Sequence, residues 1–234
     1  GLRTAPFADI TDADSLMQAL EIIGAPAILK TRRFGYDGKG QAAIRTTGDA
    51  APALAAMKGA PSILEGFVDF VCELSVVAAR APDGSFAAFD ICENRHENHI
   101  LALTSVPAGV SAATAQQARE IAHAIASALD YVGVFAVELF LTRDVSGRED
   151  LVVNEIAPRV HNSGHWTDFG AQTSQFEQHV RAVCGWPLGP CDRLGRVEMR
   201  NLIGDDIAAW RDHLADPQAH LTLYGKEEAR PGRK

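Results

Sequence analysis

The sequence predicts an α+β fold built on antiparallel sheet, and three observations carry the prediction. The strand-like run Val71–Arg80 turns back at Pro82-Asp83-Gly84 into Phe86-Ala87-Ala88-Phe89. The apolar runs Val132–Leu141 and Leu151–Ile156 flank the hairpin-like stretch Arg143–Glu149. Helical periodicity is clearest in a separate stretch, Ser111–Leu129, where Ala118, Ile121, Ala122, Ile125 and Leu129 share one face and Gly133 follows the end. With 234 residues, 47% of them hydrophobic, the chain can bury a core as one large domain or two small ones.

In chain order, Asp12–Ile23 reads as a helix. Leu16, Ala19, Leu20 and Ile23 form its apolar face, Asp12, Asp14 and Ser15 suit its start, and Gly24 ends it. Ala27-Ile28-Leu29-Lys30 is a short buried strand that delivers Lys30 at its end, where an ammonium wants an anion. The loop Arg32–Gln41 then combines Gly35, Gly38 and Gly40 with Arg32, Arg33 and Lys39. Glycines let backbone N–H groups approach a phosphate, although Asp37-Gly38 alone also suits an ordinary β-turn. Asp49–Lys58 reads as helix. Pro61–Val68 reads as a strand leaving through a linker, where free backbone groups could meet an adenine edge.

Asp90–His99 is a polar, mixed-charge tract that reads as a solvated edge before the strand Ile100–Thr104. His123 falls off the apolar stripe of its helix and is expected to be exposed. If Thr142 pairs with Leu151, Glu138 falls opposite Glu155, and two facing carboxylates need a proton or a cation between them. Mg2+ is the natural occupant, and a one-residue slip of register would separate the pair. Ser174–Cys184 reads as helix and Gly185-Trp186-Pro187-Leu188-Gly189-Pro190 as a domain boundary. Beyond it, Val197–Ile203 reads as strand, Asp205–Leu214 as helix and His220–Tyr224 as strand, and the charged end Lys226–Lys234 reads by itself as a tail.

The net charge of −8 and a pI near 5.5 argue against a general binder of nucleic acid or anionic membranes, so anionic ligands must be held by local clusters. No apolar run has the length of a membrane span and no secretory signal opens the chain, so the expected location is the cytoplasm. Cys72, Cys92, Cys184 and Cys191 form no Cys-x-x-Cys pair and read as reduced and mostly structural.

The densest chemistry lies in Val153-Asn154-Glu155-Ile156-Ala157-Pro158-Arg159-Val160-His161-Asn162-Ser163-Gly164-His165-Trp166. A carboxylate and several anion-binding donors follow one strand, which is equipment for phosphoryl transfer. The spacing of His161 and His165 also permits a zinc pair, but Pro158 and Gly164 break the helix that such a pair normally uses.

Three motifs together resemble the ATP-grasp ligases, and among them the purine-biosynthetic carboxylases that act on aminoimidazole ribonucleotide. They are Lys30 with Gly35-Tyr36-Asp37-Gly38-Lys39-Gly40-Gln41, then Asn154–Thr167, then Arg230-Pro231-Gly232-Arg233-Lys234. The resemblance implies an ATP-grasp fold over 1–189, with a small lid over about 1–68 and a larger antiparallel sheet, followed by the start of a C-terminal domain at 190–234. It implies that Lys30 and Gly35–Gln41 hold the phosphates of ATP and that Glu65, Gly66, Phe67 and Val68 present the adenine linker. Glu73 takes the ribose, and His96 with Asn154 completes the pocket.

The resemblance further implies Mg2+ on Glu138 and Glu155. Tyr36, Arg159, His161, Lys226 and Arg233 handle bicarbonate, carboxyphosphate and the ribonucleotide, and the expected assembly is a homodimer. An N-terminal Rossmann-like domain of about 100 residues usual in that family is not in this sequence, and the family continues past the last motif. Alternatives are a carboxylate–amine ligase with another acceptor and a nucleotide-binding module without turnover.

Overall fold

The computed structural model describes residues 1–33 and 40–225. The chain divides into two compact units, one of residues 1–71 with Val152–Asn154 and one of residues 72–151 with 155–234. Of the expected site residues, Gly35, Tyr36, Asp37, Gly38, Lys39, Lys226 and Arg233 lie outside the described residues.

In the first unit β1 (Phe7–Ile10), α1 (Ala13–Ile23), β2 (Ala27–Thr31), β3 (Gln41–Ile44), α2 (Ala50–Ala56) and β4 (Ser62–Gly66) follow in order. The strands make an antiparallel sheet in the order β1-β4-β2-β3. α1 starts where the sequence places it, because the Asp12 carboxylate accepts the Ser15 amide at 2.8 Å and Ser15 Oγ accepts the Asp12 amide at 3.0 Å. Such a cap contributes about 1 kcal/mol. β2 alternates, so Ala27 and Leu29 pack with Ile10, Leu16, Leu20, Ile44 and Leu64 while Lys30 stays on the other face. Burying a side chain like Leu29 contributes roughly 1.5–3 kcal/mol, enough to hold the strand that carries Lys30. β1 has no counterpart among the strands read from sequence, because Phe7-Ala8-Asp9-Ile10 is too short to announce itself.

The second unit holds β5 (Cys72–Arg80), β6 (Phe86–Ala88), β7 (Cys92–Glu97), β8 (Ile100–Val106), α3 (Ala112–Ala128), β9 (Gly133–Arg143) and β10 (Glu149–Ala157). These are followed by α4 (Thr167–Gly170), α5 (Gln175–Val183), β11 (Val197–Arg200) and α6 (Trp210–His213). The sheet order is β10-β9-β5-β7-β8-β11, with β6 beside β5. The middle residues Val152–Asn154 of β10 group with the first unit, where Val153 N–H donates to Arg3 O at 2.9 Å.

Several expectations need correction. The tract Asp90–His99 is not a solvated edge. β7 is an interior strand bonded to β5 and β8, because its polar residues alternate, with Cys92 and Asn94 buried and Arg95 and Glu97 exposed. Asn98 and His99, at φ 50° and 64°, form the two-residue turn into β8, in which both central residues need positive φ. α3 keeps its expected bounds, from the cap Ser111 to Leu129, and Asp130, at φ 46°, makes the stop ahead of Gly133. The Asp130 N–H reaches Ser127 O at 3.2 Å and the Tyr131 N–H reaches Ala126 O at 3.0 Å, a Schellman closure.

β11 ends at Arg200 and pairs with β8. The stretch expected as helix from Asp205 is a 3-10 turn, Gly204–Ala209, before α6. His220–Tyr224 forms no strand among the described residues. Its alternation meets no strand edge among the described residues, and His220 instead stacks on Phe169 with centroids 4.3 Å apart. His123 is exposed as expected. All four cysteines are free, and burial pushes the Cys72 and Cys191 thiols up to about 11 and that of Cys92 up to about 12. Cys72, Cys92 and Cys191 are therefore protonated near neutral pH and serve packing. Among the described residues no helix is long and apolar enough to cross a membrane.

Glu149 ties the start of β10 to the start of α3. It accepts Thr114 Oγ1 at 2.5 Å, the Ser111 amide at 3.2 Å and Arg143 Nη2 at 3.0 Å. The Thr114 hydroxyl first, then the Ser111 amide and Arg143, hold the Glu149 carboxyl at about 2, against desolvation, from an ordinary 4.5. A depressed folded-state value means that the unfolded chain binds the proton more tightly. The contribution is therefore complete above about 4.5 and is lost as pH falls through about 2. Glu149→Gln is expected to lower the denaturant midpoint near neutral pH and to converge on the parent protein near the lower limit. A midpoint difference that does not change with pH would refute this.

Candidate functional site

The expected site residues fall into one cluster in each unit. In the first, Lys30 Nζ pairs with Glu65 Oε2 at 2.6 Å and donates to Asn154 Oδ1 at 3.2 Å. Register explains the contact, since Lys30 lies opposite Ile63 on β4 and Glu65 is the next residue on the same face. The lysine expected at the phosphates thus rests on the strand that opens the linker. Two of the linker's backbone donors are already engaged. The Gly66 amide donates to Pro6 O at 2.8 Å and the Phe67 amide to Pro26 O at 3.1 Å, so neither is open to a base edge. Gly40, at φ 75°, and Gln41 close the loop side of β2, with Thr31 N–H bonded to Gly40 O at 2.7 Å and Lys30 opposite Gln41.

In the second unit β5 brings Glu73 opposite Asn94, and the His96 ring Nδ1 bonds to Glu73 Oε2. Glu73 and His96 are each about three-quarters buried, at 27% and 26% side-chain exposure, so the pair remains reachable by a ligand hydroxyl. On β9, Glu138 lies opposite Ser75 and meets His161 Nε2 at 3.0 Å. His161 is therefore packed against a carboxylate and is not an open loop histidine. Glu155 and Arg159 are exposed, and Arg159 Nη1 donates to Val160 O at 2.8 Å.

The β9–β10 hairpin closes on Asp144 and Arg148, with Asp144 N–H to Arg148 O at 3.1 Å and Gly147 N–H to Asp144 O at 2.9 Å. That closure is one residue off the Thr142–Leu151 register. Side chains one residue apart face opposite ways unless a bulge restores them. Glu138 and Glu155 still stand on neighbouring strands. Mg2+ needs only one or two carboxylates beside phosphate and water, a demand this donor set fits. The zinc alternative is not supported, because both ring nitrogens of His161 are occupied, Nε2 by Glu138 and Nδ1 by Ser163 Oγ at 2.8 Å. Among the described residues no group of three His, Cys, Asp or Glu side chains is disposed to hold a metal.

The loop after β10 is fixed by residues that the sequence analysis did not single out. Buried Gln175 accepts the His161 amide at 2.9 Å and donates to His161 O at 2.8 Å, and its own amide donates to Thr167 Oγ1 at 2.9 Å. Gly164 leaves room for it, since a Cβ there would come within 2.7 Å of the Gln175 carboxamide carbon. Ser75, Asn94 and Thr104 form a further buried polar group behind His161. The available signal was a polar residue at an inward strand position, as with Ser75 inside Leu74–Ala79.

Residues 1–176 match the ATP-grasp domain, and residues 198–234 match the phosphoribosylaminoimidazole carboxylase C-terminal domain. The N5-carboxyaminoimidazole ribonucleotide synthase of Brucella melitensis biotype 1 is 50% identical over 236 residues, covering 100% of this chain and 64% of that protein. An ADP complex of an N5-carboxyaminoimidazole ribonucleotide synthetase superposes with a TM-score of 0.90 at 40% identity, over 100% of this chain and 61% of that one. The Aspergillus clavatus synthase in complex with ADP and 5-aminoimidazole ribonucleotide gives a TM-score of 0.90 at 32% identity, over 100% and 62%. The chain thus spans less than two thirds of the length of each of these relatives.

Proposed function

The chain belongs to the ATP-grasp family, and from that premise we propose that it acts as an ATP-dependent carbon–nitrogen ligase of purine biosynthesis. It would convert 5-aminoimidazole ribonucleotide, bicarbonate and ATP to N5-carboxyaminoimidazole ribonucleotide, ADP and phosphate. The observation that carries this reading is the Glu138–His161 contact at 3.0 Å, which joins a carboxylate assigned to the metal to the loop assigned to the acceptor. The names of the relatives support the same substrates.

In this reading a bicarbonate oxygen attacks the γ-phosphorus and ADP leaves, giving carboxyphosphate. Its C–O bond then breaks to CO2 and phosphate, and the ribonucleotide amine forms the new C–N bond and loses a proton. Lys30, with Glu65–Val68, binds the nucleotide, Glu73 and His96 take the ribose, and Asn154 orients Lys30. Glu138 and Glu155 would hold Mg2+, which when bound offsets charge on the transferring phosphoryl group. Arg159 grips the carboxylated intermediate and the acceptor, while His161, its ring nitrogens engaged by Glu138 and Ser163, orders the loop that keeps water from them. Tyr36, Lys226 and Arg233 are assigned to the same acceptor chemistry, and Gly35, Asp37, Gly38, Lys39, Gly40 and Gln41 to the phosphates. We also place in this reading a domain division near residue 189, a cytoplasmic location and a homodimer.

The test is ADP release with bicarbonate and each of several amine acceptors, with the product identified by mass. Turnover dependent on the aminoimidazole ribonucleotide is expected. Turnover with a different acceptor alone would assign another ligase, and nucleotide binding without ADP release would assign a binding module.

A further inference from the structure

A run of buried polar side chains lies behind His161. Thr104 Oγ1 donates to Asn94 Oδ1 at 2.9 Å, and Asn94 Nδ2 donates to Ser75 Oγ at 2.9 Å. Ser75 Oγ and Ser163 Oγ are 2.7 Å apart, and Ser163 Oγ lies 2.8 Å from His161 Nδ1. Ser75, Thr104 and Ser163 have 0% exposure and Asn94 has 6%. Asn94 and Thr104 face each other across β7 and β8, so the sheet itself lines the chain up. Apolar residues would fill these positions without the desolvation cost of four polar groups, so the polar chain calls for a role.

Its order of donors has one sense. The Ser163 backbone N–H points at His161 Nδ1, 3.3 Å away, a long contact that favours that nitrogen as an acceptor without fixing it, and the Ser163 hydroxyl at 2.8 Å is the stronger partner. The Ser163 hydroxyl then gives its hydrogen to Nδ1 and accepts from Ser75. Ser75, its hydrogen committed, accepts from the Asn94 amide, whose carbonyl accepts from Thr104. With Nδ1 accepting, the ring hydrogen sits on Nε2, the nitrogen 3.0 Å from Glu138 Oε1. The opposite sense would set two donors against each other at Nδ1.

We propose that Thr104, Asn94, Ser75 and Ser163 are positioning residues whose one-way chain holds His161 as its Nε2–H tautomer, donating to Glu138. Only the metal role of Glu138 rests on the ligase reading, and the tautomer does not. An oriented carboxylate is what a metal ligand gains from its outer-shell partners.

The test is the 15N spectrum of the histidine-labelled chain, which reads the hydrogen on each ring nitrogen directly. The parent protein is expected to carry it on Nε2 of His161. Asn94→Asp keeps the shape but turns the amide donor into an acceptor. Ser75 then donates back to position 94, Ser163 donates to Ser75, and Nδ1 is expected to carry hydrogen. Ser163→Ala, which does not depend on burying a new carboxylate, is expected to give mixed tautomers and to weaken Mn2+ binding in the presence of ADP roughly tenfold. A purely structural role would lower the melting temperature of both variants and leave the tautomer alone. His161 remaining wholly Nε2–H in both folded variants would overturn the proposal. A tautomer that moves while Mn2+ affinity stays constant would uphold the chain and remove Glu138 from the metal, which is a failure of the ligase reading alone.

Discussion

Glu155→Gln is expected to slow phosphoryl transfer by two to three orders of magnitude while leaving the fold almost untouched. The carboxylate is exposed on β10, so its replacement by a neutral isostere falls among surface changes within about 0.5 kcal/mol of stability. Its proposed work is electrostatic. A metal that polarises a phosphoryl group supplies several kcal/mol in the transition state, and at about 1.4 kcal/mol per tenfold the loss of half its protein ligands is on the order of a hundredfold or more. Glu138→Gln should differ in kind, because Glu138 also accepts from His161 at 3.0 Å and is mostly buried, so it should cost stability as well as rate. If the two residues hold one ion, the double variant should lose little beyond the worse single one. Single-turnover ADP formation and thermal denaturation on the three variants measure both effects. Unchanged turnover in Glu155→Gln would remove it from the metal, and the one-residue offset at Asp144 and Arg148 makes that outcome informative about the hairpin itself.

What the sequence makes legible here follows from how local each signal is. Asp12 with Ser15 announces α1 because a cap is settled within one turn. β2, β5 and β9 announce themselves because strands with buried neighbours need continuous apolar runs. β7 is missed for the complementary reason. Its inward residue Asn94 is polar, and whether a polar residue is solvated or bonded to Ser75 and Thr104 depends on strands distant in sequence. His220–Tyr224 errs the other way, with a strand pattern that joins no sheet among the described residues. Within the site, Lys30, Glu65 and Asn154 are legible as types, but their mutual contacts are a product of register. His161 is legible as a candidate, yet only the fold places it against Glu138 instead of leaving it open.

Arg159→Lys tests how the labour is divided along the loop after β10. The Arg159 amide donates at 2.8 Å to the carbonyl oxygen of Ala157, which is buried in the core, while the guanidinium stays exposed and donates to Val160 O. The backbone is thus fixed and the charged head is available to a ligand. A guanidinium can grip a carboxylate or phosphate through two parallel hydrogen bonds, and lysine keeps the charge but loses that fork. Lys30 and Glu65–Val68, assigned to the nucleotide, belong to the other unit. ATP affinity should therefore stay within a few-fold of the parent, whereas acceptor-dependent ADP release should fall roughly tenfold or more, because an interaction made with the reacting groups has been removed. Calorimetry with ATP and a coupled ADP assay on the same preparation separate the two steps. A variant that loses ATP binding but, once saturated, carboxylates at the parent rate would assign Arg159 to the nucleotide instead.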